Sequence, residues 1–102
     1  MSALTYHFEW DAKKARTNQS KHGIAFRLAM SVLHDPLAIT LYDEEHSDYE
    51  ERWVTLGLAG NGQCLVVVHT ATQTSDTDVL IRIISARKAD RDEQRDYGET
   101  PR

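Results

Sequence analysis

The chain has 102 residues, 40% of them hydrophobic and 27% charged, enough for one hydrophobic core and too few for two domains. Its formal net charge of −4 argues against non-specific binding to nucleic acid. One cysteine, Cys64, excludes an internal disulfide; its apolar neighbours suit a small buried strand residue, which is consistent with a reducing cytoplasm. No apolar run is long enough to span a membrane, and residues 1 to 20 are too charged for a secretory signal.

In chain order, Tyr6-His7-Phe8-Glu9-Trp10 alternates aromatic and polar residues, as a half-buried strand does. Asp11 is a good N-cap for a helix from Ala12 to His22, and Gly23 is its left-handed stop. A second helix is expected from Ile24 to Leu33, with Phe26, Ala29, Met30 and Leu33 as its buried stripe; Asp35-Pro36 ends it. Leu37–Tyr42 is β-rich, residues 43–51 form a polar loop, and Arg52–Leu58 is a strand. Gly60-Asn61-Gly62 turns it into a hairpin with Gln63–Thr70. Residues 71–78 read as a loop, and Val79–Ala86, the most apolar segment, as an inner strand. Asp90 and Glu93 then have capping-box spacing for a short last helix. The expectation is a single α+β domain over residues 1–102, with helices against a mainly antiparallel sheet of about four to five strands.

Charge is unevenly spread. Residues 1–34 carry five basic and two acidic side chains, residues 35–52 one basic and seven acidic, and residues 53–102 six and seven. A basic face apart from an acidic patch suits a polyanion at one place and a cationic partner at another. The acidic run of residues 43–51 lacks the central glycine of a calcium loop and reads as a solvated loop or, less simply, as part of a partner surface. The five histidines show no metal-ligand spacing with each other or with Cys64, so no metal or other cofactor is expected.

The residues able to carry chemistry are Lys21 and His22 at a helix end, Arg52, His69, Arg82, Arg87, Glu93 and Tyr97. Metal-independent RNA cleavage needs a base for the 2′-hydroxyl, cations for the phosphorane charge and an acid for the leaving 5′-oxygen. These side chains can fill those roles, but each has a plainer use. Lys21 and His22 suit the negative end of a helix, which spacing alone favours. His69 shares strand parity with Leu65 and Val67 and suits a core position. Arg82, in a very apolar strand, must be paired or line a cleft.

Phe8-Glu9-Trp10-Asp11, Lys13, Asn18, Lys21-His22-Gly23-Ile24 and Phe26 resemble the opening signature of BrnT-family toxins. The resemblance continues through Asp35-Pro36, Glu51-Arg52, Leu56-Gly57, Val66-Val67-Val68-His69-Thr70 and Ile81 to Ala89, then Glu93 and Tyr97. It implies a RelE-like fold and a cytoplasmic ribonuclease toxin of a type II toxin–antitoxin system, inhibiting translation by cutting mRNA. It also implies neutralisation by a BrnA-type ribbon-helix-helix antitoxin, with operator DNA reached only through that partner. On this resemblance Lys21, His22, Arg82, Arg87 and Glu93 are the expected catalytic set. Lys14, Arg52, His69 and Tyr97 are the expected RNA contacts. One departure is Gln94, where the family often has arginine; Arg95 lies one step on, about 100° around the helix. That departure and the acidic balance support a second reading, a catalytically weak module acting as an antitoxin-binding co-repressor.

Overall fold

The computed structural model describes residues 4–99. Its elements are β1 (Thr5–Glu9), α1 (Ala12–His22), α2 (Phe26–Val32), β2 (Ile39–Tyr42), a 3-10 turn (Glu44–His46), β3 (Trp53–Leu58), β4 (Cys64–His69), β5 (Thr72–Gln73), β6 (Asp78–Lys88) and α3 (Arg91–Glu99). The six strands form one sheet in the order β1-β6-β4-β3-β2, with β5 also on β6. Only β1 and β6 run parallel; the other pairs are antiparallel. No described helix is long and apolar enough to cross a membrane.

The ends of α1 follow from local chemistry. Asp11 Oδ1 accepts from the Lys13 and Lys14 N–H groups at 2.8 and 3.0 Å. These two bonds hold its carboxyl below the usual aspartate range. Gly23 takes φ 70° and returns its N–H to the Gln19 carbonyl at 2.9 Å, closing the helix. The second helix begins later than its periodicity suggests. Ile24 is 2% exposed and enters the core before the helix starts, so Ala25 stays extended as the N-cap.

The core lies between α1, α2 and one face of the sheet, where Ile24, Phe26, Ala29 and Val32 meet Leu65, Val67, Ile81, Ile83 and Ala86. Gly57 lets this contact close tightly: a Cβ there would stand 3.0 Å from Asp35 Oδ2, 3.1 Å from Ala38 Cβ and 3.2 Å from Val32 Cγ1, and those side chains would have to give. Ile81, Ile83 and Ala86 all reach the same core despite their spacing, because the β4–β6 register shifts next to His69 and leaves Ile84 as an extra residue.

Two expectations need correction. Residues 71–78 contain the short strand β5, and β6 runs two residues past Ala86. The sheet therefore has six strands, because a two-residue strand made only by pairing with β6 carries no periodicity of its own.

Candidate functional site

The strand β1 covers β6 only from Asp78 to Arg82. Beyond it, helix α1 takes over the strand's role through one side chain. Asn18 Nδ2 donates to the Ala86 carbonyl at 2.9 Å, and Asn18 Oδ1 accepts from the Ala86 N–H at 3.0 Å, copying a strand's hydrogen bonds. The same amide nitrogen reaches the Ile24 carbonyl at 2.9 Å. Asn18 is the one buried residue of α1, so its bonds fix which face of the helix meets the sheet edge. Residues three and four positions away share that face. Lys14, Lys21 and His22 are therefore turned toward the edge by the residue they flank.

The result is a groove of about 440 Å³ lined by Lys13, Lys14, Thr17, Asn18, Lys21 and His22 from α1 and by Ile84 and Ser85 from β6. A second cleft adjoins it, sharing Lys14 and Ile84 and adding Asp11, Tyr49, Glu50, Arg82 and Ile83. Four of the residues expected from the sequence thus line these two adjoining clefts, together called the trough: Lys21 and His22 the first, Arg82 the second and Lys14 both.

Arg82 is paired, as its apolar strand requires. Its guanidinium bonds Glu50 of the acidic loop, whose other oxygen lies 3.7 Å from Arg52 Nη2. Arg52 is anchored by its backbone N–H on Ser47 Oγ at 3.0 Å, while its buried Nε has no hydrogen-bond partner among the described residues. Tyr49, beside them, is fully exposed. Neither Asn18 nor Tyr49 was expected at the site. Asn18 had a readable signal, a polar residue at the centre of a basic stripe; Tyr49 had none.

The remaining expected residues lie elsewhere. Arg87 grips Glu93 with two parallel bonds, Nη1 to Oε1 at 2.7 Å and Nη2 to Oε2 at 2.9 Å, and lines neither cleft. The bonds to Arg87 hold the Glu93 carboxyl below its usual range, and those to Glu93 raise the arginine further. Glu93 also completes the capping box: it accepts from the Asp90 N–H at 2.9 Å and donates its own N–H to Asp90 Oδ1 at 2.8 Å. Tyr97 donates to Asp35 Oδ2 at 2.6 Å. Gln94 turns back to the Ala89 carbonyl at 3.1 Å, and Arg95 pairs with Asp92.

His69 belongs to the core rather than to the trough. It is 2% exposed, with Nε2 2.7 Å from Thr55 Oγ1 and Nδ1 2.9 Å from the Thr70 carbonyl. Nδ1 must donate to a carbonyl, so Nε2 accepts the Thr55 hydroxyl, and burial lowers the ring's affinity for a second proton. His69, expected as an RNA contact, lines neither cleft. Among the described residues no three His, Cys, Asp or Glu side chains gather as metal ligands.

The family model described as "Ribonuclease toxin, BrnT, of type II toxin-antitoxin system" matches residues 10–93. Among curated proteins none matches the chain. The fold is similar to the crystal structure of the Brucella abortus ribonuclease toxin BrnT, with a TM-score of 0.51 at 20% identity, covering 89% of this chain and 99% of that one. The match to the family model spans both Lys21-His22 and Arg82. The chain belongs to the BrnT family of type II ribonuclease toxins.

Proposed function

We propose that the trough between α1 and β6 binds single-stranded mRNA and cleaves it without a metal ion by attack of the 2′-hydroxyl on the adjacent phosphate. The observation that carries this reading is the convergence of Lys14, Lys21, His22 and Arg82 on one trough. Lys21 and His22 exchange protons with the 2′-hydroxyl and the leaving 5′-oxygen. Arg82 and Lys14 stabilise the charge that gathers on the phosphate oxygens. Arg52 positions the neighbouring phosphate, and Tyr49 offers an exposed ring on which a base stacks. The products are a 2′,3′-cyclic phosphate and a 5′-hydroxyl. Arg87 meets phosphate only by exchanging Glu93 for it, and Glu93 orients Arg87. A BrnA-type ribbon-helix-helix antitoxin neutralises the enzyme and carries it to operator DNA.

The test is to replace Lys21, His22 and Arg82 singly by alanine and follow growth arrest and cleavage of a defined transcript in EDTA. Each loses at least about tenfold in rate, and a 2′-deoxy substitution at the cut site blocks cleavage. Full activity in all three variants overturns the site; cleavage of the 2′-deoxy substrate overturns the reaction.

The weaker-enzyme reading draws on one contact. Glu50 already holds Arg82, so a loop carboxylate stands where a phosphate would bind. Under this reading Glu50→Gln raises cleavage several-fold; an unchanged rate removes that support.

A further inference from the structure

We infer that the sheet face opposite α1 and α2 is the docking site of the antitoxin, through a basic amphipathic segment whose apolar side chains lie across β2 and β3. The inference rests on the antitoxin half of the proposed function and not on the cleavage half. Antiparallel strands packed on one face ordinarily turn polar side chains to water on the other. The hairpin of β2 and β3 is apolar on that second side as well. On the helix side it carries Thr40 and Thr55, joined at 2.8 Å, together with Tyr42 and Trp53, whose rings lie 5.1 Å apart. On the far side Ile39, Leu41, Val54 and Leu56 form the floor of an open groove with Val66, about 400 Å³ in volume. Leu41 is 65% exposed, a large apolar side chain with nothing over it among the described residues. The strand that carries it is also the sheet's last. Its sequence, Ile-Thr-Leu-Tyr, has neither a charge nor a proline to discourage strand pairing. An apolar face beside an unguarded edge needs a cover, and a type II toxin has a protein partner.

The rim selects the occupant. Glu93 and Asp96 of α3 border the groove, and the chain leaves β2 directly into Asp43-Glu44-Glu45. Two copies of this chain, each at −4, would set carboxylate rims of like charge together, whereas lysines or arginines flanking an apolar stripe meet them favourably. Arg87 already answers both oxygens of Glu93, so the negative charge beside the groove comes mainly from the Asp43-Glu44-Glu45 run.

The test uses the full chain and the purified antitoxin encoded in the same operon, with Kd measured by titration and growth rescue measured on co-expression. Leu41→Lys weakens binding by about tenfold or more and escapes neutralisation, while free toxicity and melting temperature stay as in the wild type. Asp96→Lys weakens binding several-fold and flattens its salt dependence. An unchanged Kd in both variants overturns the inference. So does a dimer of the toxin alone that Leu41→Lys dissociates, because a second copy would then be the cover. If the wild-type protein cuts no RNA, the cleavage reading fails, and the Kd series still decides the docking face.

Discussion

The two faces of the sheet use similar apolar residues to opposite ends. On the helix face each polar group that enters is consumed: Asn18 takes up the Ala86 backbone, and His69, Thr55 and Thr40 form a chain of bonds. On the far face α3 is tied down by the Arg87–Glu93 and Tyr97–Asp35 bonds, and Leu41 and its neighbours stay open. The contrast separates stability from recognition. Side chains that hold the fold are finished within the chain, while Leu41 on the far face contributes little until something covers it.

The largest effect should come from the closed face. Leu65→Ala, at a site with no exposure, costs about 3 kcal/mol in urea unfolding, whereas Leu41→Ala changes stability by no more than about 0.5 kcal/mol. Equal losses would erase the distinction. Asn18→Ala follows at about 2 kcal/mol, because it strands the buried N–H and carbonyl of Ala86. Asn18→Asp is no rescue, since its carboxylate would face the Ile24 and Ala86 carbonyls. A variant as stable as wild type would show that α1 is held by other contacts.

A smaller effect depends on pH. The folded state lowers the proton affinity of His69 from its ordinary 6.5, so the unfolded chain binds the proton more readily. Stability is complete above pH 6.5 and falls as the pH drops from there toward the lowered folded value, by at most about 1.4 kcal/mol per pH unit. His69→Gln should remove that slope, and a slope that persists would point to another group. The smallest effect lies on the open face. Glu93→Gln costs about 0.5 kcal/mol at neutral pH, since its arginine partner is 44% exposed and well screened. This contribution is present above the ordinary glutamate value of 4.5 and fades as the pH falls toward the lowered folded value.

Elements closed by their own neighbours were legible in the sequence. Asp11 and Gly23 bound α1 at both ends, Gly60-Asn61-Gly62 marks the hairpin between β3 and β4, and Asp90 with Glu93 opens α3. What escaped depends on distant partners. The strand β5 exists only against β6, and Ile24 leaves its helical pattern because the core draws it in. At the site, charge and motif pointed to Lys21, His22 and Arg82. Local spacing could not reveal that Glu50 answers Arg82 or that Arg87 is spent on α3. His69 was readable both ways, and its parity with Leu65 and Val67 was the better guide.

The parallel pairing of β1 with β6 has a consequence for the protein's synthesis. Thr5–Glu9 are translated well before their partner residues, Asp78–Arg82. Asn18 likewise waits for Ala86. Pairing across so much chain is slow, because the loop must close before any contact rewards it. The trough therefore cannot exist on a nascent chain that stops short of β6. The cleft between α1 and β6 is thus completed only once β6 has been made and has left the ribosome, which leaves an interval in which a protein partner can meet the chain before that cleft has formed.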